Sequence, residues 1–286
     1  MPSLSDIKRR IRSVKNTQQI TKAMKLVSAS KLRKAQEAIL KARPYAVKTR
    51  QMLNSLAGRC DVDQHPFLKI RAEKKILIFL ITSDKGLCGG FNSSLIKQAM
   101  ETIREKEGKT IELIIAGKKG NDVFQSRPYG LLQKYIGWTR DFSFKKASEI
   151  ADNLGTLFSE GAVDKIYIIY NEFKSVLQQN VVAEQLLPIA PDAAVEGEWH
   201  VDYIYEPDSN TILERLLKMY LEVEVYRAFL ESSASEHGAR MTAMDNATRN
   251  AKEMIGQLTL FYNKARQAYI TKELIEIVSG AEALKG

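Results

Sequence analysis

75-KILIFLITSDKGLCGGFN-92 passes from an apolar run, Ile76 to Thr82, through a turn with three glycines into a segment of helical period. Strand, glycine-rich turn and helix is the layout that anion-binding α/β folds use, with backbone N–H groups aimed at a ligand. The lettering departs from such a site. A phosphate loop reads GxxxxGK[ST], and no Lys followed by Ser or Thr comes after Gly89 or Gly90; the GxGxxG spacing of dinucleotide folds is missing as well. Two readings stay open here: a tight turn in which glycine supplies positive φ, or a surface made to be touched by another molecule.

Outward from this stretch the pattern repeats. Apolar runs 111-IELIIAG-117 and 163-VDKIYIIYNEF-173 alternate with helix-like segments near 93–107, 118–126 and 145–160. That order predicts βαβ units on a mostly parallel sheet. A weaker strand is expected near 132–138, and 177-LQQNVVAEQLLPI-189 and 201-VDYIY-205 read as late edge strands.

The two ends of the chain are helical. Leu4, Ile7, Ile11 and Val14 recur at spacings of three and four, and Leu32, Ala35, Ile39, Ala42 and Ala46 resume the same register. Between them that register holds Gln18, Thr21, Lys25 and Ser28, while Ile20, Met24 and Val27 form a displaced apolar stripe, so the seam is expected to be interrupted or rotated there. Ser3 or Ser5 can cap the start, and Pro44 falls late enough to kink the helix near its end. At the other end, Thr211 and Glu214 have capping-box spacing, and no proline occurs from 211 to 284. A continuous helix over that span is roughly 110 Å long at 1.5 Å per residue, more than a domain of this size can bury. Its stripe runs through Leu213, Leu217 and Tyr220, then Ile255, Leu258, Tyr262, Ala265 and Tyr269, then Ile270, Leu274, Ile277, Ala281 and Leu284. The middle, 231-ESSASEHGARMTAMDNATRN-250, is polar and small, which suits close helix approach. The expected organisation is α/β: an N-terminal coiled-coil helix over 1–56, a Rossmann-like α/β domain over 57–206, and a C-terminal coiled-coil helix over 207–286, the two long helices pairing antiparallel.

Charge is concentrated at one end. The net +9 of the 286 residues divides into +12 over 1–56, −2 over 57–206 and −1 over 207–286. A nucleic-acid helix, a transit peptide and a helix facing an acidic protein all fit that excess; a helix continuing to about residue 56 weakens the second. Cys60 and Cys88 are far apart and suggest neither a disulfide framework nor a CxxC site. No apolar run reaches the ~20 residues that span a bilayer, and the N-terminus lacks the apolar core of a secretory signal. The three histidines, His65, His200 and His237, stand apart, and HExxH and GxSxG spacings are absent. The residues suggest no enzyme.

Five segments carry a family resemblance: 270-ITKELIEIVSGAEA-283, 83-SDKGLCGGFN-92, 6-DIKRRIRSVKNTQQITKAMKLVSASKLRKA-35, 43-RPYA-46 and 203-YIYEPD-208. Together they closely resemble the gamma subunits of F-type ATP synthases, end to end. The resemblance implies a central rotor without catalytic residues or cofactor of its own. Its terminal helices would turn inside the alpha/beta hexamer, and its α/β domain would sit with epsilon on the c-ring. It also implies that the basic helix faces acidic protein and no nucleic acid; a basic coiled-coil nucleic-acid binder is the alternative reading, and a nucleotide binder using the glycine-rich turn is the enzyme reading.

By that resemblance Met24, Lys25, Asp84, Lys85, Cys88, Gly89, Arg266 and Gln267 meet the beta subunits. Asp84 and Lys85 would be available for charge pairing, with Gly89 and Gly90 permitting close approach. Ile270, Thr271, Glu273, Glu276, Gly280 and Ala281 form the signature of the shaft tip, and Tyr205 and Glu206 belong to the foot near the c-ring. The cysteine-bearing regulatory insert of chloroplast relatives has no counterpart. With nothing ahead of 2-PSLSDIKRRI-11, the expectation is a bacterial subunit, peripheral on the cytoplasmic face of the inner membrane and attached only through its complex.

Overall fold

Ile76 to Ile81 are all buried, and their side chains alternate between two cores. The computed structural model describes residues 3–57, 65–140, 142–190 and 209–283. Its elements are α1 (Leu4–Ala57), β1 (Lys75–Ile81), α2 (Phe91–Glu105), β2 (Thr110–Ala116), α3 (Lys118–Phe124), β3 (Gly130–Tyr135), α4 (Phe144–Ser159), β4 (Lys165–Phe173), β5 (Gln179–Leu187) and α5 (Ser209–Ala283). The expected strand at 201–205, and with it Cys60, His200, Tyr205, Glu206 and Leu284, lies outside the described residues.

The chain divides into two compact units, Ala29–Arg240 and Met1–Ser28 with Met241–Gly286. In the first, the sheet runs β3-β2-β1-β4-β5; the first four strands are parallel and β5 is antiparallel to β4. Because side chains alternate along a strand, Leu77, Phe79 and Ile81 pack with Ala147, Leu154 and Phe158 of α4 and with Leu217, Leu221 and Phe229 of α5. Ile76, Ile78 and Leu80 pack on the other face with Leu95 and Ala99 of α2 and Phe124 of α3. A parallel sheet must be covered on both faces, and α5 supplies part of one cover, joined by Leu53 of α1. The expected boundaries at 56/57 and 206/207 follow helix ends, whereas this unit takes in residues beyond both.

In the second unit the helices run antiparallel: Thr21 Oγ1 lies 2.7 Å from Thr248 Oγ1, and Lys25 Nζ 2.6 Å from Asp245 Oδ1, so that four residues up one helix match three down the other. The register of Leu4, Ile7, Ile11 and Val14 is not interrupted. It continues inward through Gln18, Thr21, Lys25 and Ser28, all buried or half-buried, while Ile20 and Val27 of the displaced stripe are exposed. Hydroxyl pairing satisfies Thr21 and an ion pair satisfies Lys25, so polarity at these positions does not move the seam. Ser3 caps α1, its Oγ accepting from the Asp6 N–H at 3.2 Å. Pro44 lies inside the helix without ending it, and α5 begins at Ser209, ahead of the expected Thr211 box.

Candidate functional site

The turn after β1 is held from three directions. Asp84 Oδ1 accepts from the backbone N–H groups of Gly137 at 2.9 Å and Lys118 at 3.2 Å; Oδ2 accepts from the Thr139 hydroxyl at 3.0 Å and its N–H at 3.4 Å. The carboxylate therefore joins the loops that follow β1, β2 and β3. Thr82 repeats the device one step deeper. Its carbonyl accepts from Trp138 Nε1 at 2.9 Å, and its hydroxyl donates to the Ala116 carbonyl at 2.9 Å. A Cβ on Gly117, whose φ is +96°, would stand 2.1 Å from the Thr82 carbonyl oxygen, so only glycine fits there.

Arg240 reaches the same turn from α5. Its buried guanidinium donates to the carbonyls of Lys85 at 3.1 Å and Gly86 at 3.3 Å, and pairs with Glu236 at 2.7 Å. Ser83 and Asn92 close the turn on itself, Ser83 N–H donating to Asn92 Oδ1 at 3.0 Å. Cys88 is buried, with the Asn92 amide 3.3 Å from its sulfur, and burial raises its thiol pKa. Of the turn residues expected to meet a partner, Cys88 has its side chain buried within this chain, and the exposed members of the turn are Lys85, Leu87, Gly89 and Gly90. Burial also raises the Glu236 carboxyl, partly offset by Arg240. It lowers His237 to about 4, helped by the charges of Arg240 and Lys31.

In open α/β sheets a ligand enters at the carboxyl ends of the strands, where successive crossovers part to opposite faces. Here that point lies between β1 and β4, because α2 and α3 cover one face and α4 the other. α5 occupies it. Glu231 accepts from the Phe173 N–H at 2.9 Å, Ser235 donates to the Asn171 carbonyl at 3.2 Å, and Arg240 fixes the turn after β1. A nucleotide would have to displace a buried helix. Neither Glu231, Ser235 nor Arg240 stands out in the sequence, where 231–250 reads only as polar and small; buried charge on a single helix face was the available signal.

The other expected residues that are described belong to the helical unit. Lys25 is taken up with Asp245, both side chains about half-exposed, and Met24 beside it is half-buried. Arg266 and Gln267 are exposed. Ile270, Thr271, Glu273, Glu276, Gly280 and Ala281 all lie on a helix that is exposed over every residue from 266 to 283, where Ile270, Leu274, Ile275, Ile277 and Val278 are 48 to 67% accessible. Isolated apolar residues are ordinary on a surface, but a contiguous exposed apolar face, here opposite the charged Lys272, Glu273 and Glu276, marks a surface that something else covers. No helix among the described residues is long and apolar enough to cross a membrane.

The ATP synthase family model matches residues 3–284. The ATP synthase gamma chain of Chlorobaculum parvum is 47% identical over 291 residues, and that of Geobacter metallireducens 48% over 288 residues, each alignment covering all of both chains. A chain of the central stalk and c-ring structure of the Tetrahymena thermophila mitochondrial ATP synthase is 30% identical, with a TM-score of 0.62 over 80% of this chain and 99% of that one. A chain of the Euglena gracilis mitochondrial ATP synthase, in its OSCP/F1/c-ring structure, shares the fold at 22% identity, with a TM-score of 0.67 over 98% and 94%.

Proposed function

The chain belongs to the gamma-chain family of ATP synthases, and from that membership we propose that it is the central shaft, carrying rotation from a c-ring to catalytic subunits and performing no chemistry itself. The observation that carries this reading is the broad exposed apolar face at the end of α5, formed by Ile270, Leu274, Ile277 and Val278, which no described residue of this chain covers and which the wall of a sleeve would cover. The alpha and beta subunits supply that sleeve, and their rotary contacts fall on Met24 and Lys25 of α1, on the exposed part of the turn after β1, and on Arg266 and Gln267. The tip residues Ile270 to Ala281 turn within it. Epsilon and the c-ring meet the foot, with Tyr205 and Glu206 as its contact residues. In this reading 1–56 and 207–286 are the two long helices and 57–206 the α/β domain between them, and the complex lies on the cytoplasmic face of a bacterial inner membrane.

The +12 of residues 1–56 serves the same assembly, since opposite charge speeds encounter with an acidic partner. The direct test mixes the full chain with the alpha and beta subunits of its own complex and measures co-elution and ATP hydrolysis. The chain should elute with the hexamer and stimulate turnover, and alone it should neither hydrolyse ATP nor bind it tightly. A chain that fails to enter the hexamer, or turns over ATP by itself, contradicts the reading.

A further inference from the structure

Leu87 carries two penalties at once in the isolated chain. Its φ is +62°, the only positive value outside glycine among the described residues, and its side chain is 64% exposed. The left-handed region strains a residue with a Cβ, and leucine lacks the short polar side chain that eases it for Asn or Asp. Glycine would remove the strain, and glycines already stand at 86, 89 and 90.

The surrounding backbone leaves Leu87 no way to relax. On one side the carbonyls of Lys85 and Gly86 are held by the buried Arg240, and the Ser83 hydroxyl adds a bond to Lys85 O at 2.7 Å. On the other, Cys88 is sunk into the core beside α2, and its carbonyl accepts from the Phe91 N–H at 3.2 Å. Asp84 ties the base of the turn to two further loops. The result is a rigid arch with one large apolar side chain at its crest and the exposed Lys85 beside it. Strain that persists because its surroundings over-determine it points to a use outside the chain's own fold.

We propose that Leu87 is a preformed apolar anchor that inserts into an apolar recess with an acidic rim on the catalytic subunits, with Arg240 as the residue that positions it. This rests on the reading that the turn faces those subunits, and it names what the turn offers them: a side chain to be buried, with Lys85 pairing at the rim. An anchor ordered beforehand loses little freedom on binding, which is what places such residues among the few that dominate an interface.

The test compares the full-length wild-type chain with Leu87→Asn and Leu87→Met, first by thermal melting and then in competition for the alpha/beta hexamer. Asparagine tolerates the left-handed region and removes the apolar group, so Leu87→Asn should melt no lower than wild type yet compete about tenfold less well, the loss expected when one anchor leaves an interface. Methionine keeps the apolar group and should compete nearly as well as leucine. The asparagine deficit should persist at high salt, because apolar burial is not screened as ion pairs are. Undiminished competition by Leu87→Asn, or a deficit that salt abolishes, overturns the proposal. A lower melting temperature for Leu87→Asn also overturns it, since the leucine would then serve the chain's own fold. Failure of the wild-type chain itself to bind the hexamer is a separate outcome that removes the underlying reading.

Discussion

Asp84 accepts four hydrogen bonds in a region where the loops after three strands meet. Asparagine keeps one acceptor oxygen but turns an NH₂ group toward backbone donors, so Asp84→Asn should cost about 1–3 kcal/mol, read as a lower urea midpoint at unchanged slope. Loss of less than half a unit of that range would mean that water replaces the carboxylate freely. His237 gives a second, pH-dependent expectation. Its folded value of about 4 lies below its ordinary 6.5, so the unfolded chain binds the proton more readily between those two values. Stability attributable to this site therefore rises as pH goes from about 4 to 6.5 and is lost on acidification. With 1.36 kcal/mol per unit, the difference is on the order of 3 kcal/mol. Urea unfolding of His237→Gln should show a flatter stability profile than wild type across that window, and parallel profiles would mean that the ring is not buried as a neutral group.

α5 does two jobs along its length, and a break between them should separate the jobs. Ala251 is buried within the helical unit. Proline there removes a backbone hydrogen bond and clashes with the preceding turn, at about 3 kcal/mol or more locally. Ala251→Pro should assemble with its partners and hydrolyse ATP but take up fewer protons per ATP in inverted vesicles; an unchanged ratio in assembled complex would show that α5 does not bear the torque. The elements themselves were legible because their signals are local. β1, β2 and β4 are near-continuous apolar runs, and α1 and α5 carry helical periodicity on both sides of a polar stretch, without a proline that stops them. The register of the seam at Gln18, Thr21, Lys25 and Ser28 is not legible in the sequence because polarity reads as outward facing, whereas Thr248 and Asp245 meet Thr21 and Lys25 across the helix pair. The turn was legible as a surface but not in its chemistry. Asp84 finds its partners 34 to 55 residues away and Arg240 reaches back more than 150, distances over which a single sequence carries no pairing signal.

At the scale of the whole molecule, basic charge, apolar helix end and filled crevice all describe a chain that acts by being gripped and turned. The charge excess is confined to the first 56 residues, the exposed apolar helix end to the last turns of α5, and the crevice where α/β folds take nucleotides is closed by Glu231, Ser235 and Arg240. Chemistry is therefore expected on the partners and motion on this chain. The most direct measurement places a probe on Leu177→Cys, 86% exposed in the turn between β4 and β5, in a Cys60→Ser background, the burial of Cys88 protecting its thiol. With the beta subunits fixed to a surface, ATP should drive the probe in repeated unidirectional rotation that stops when ATP is removed. A probe that stays fixed while the same complexes hydrolyse ATP would contradict the account.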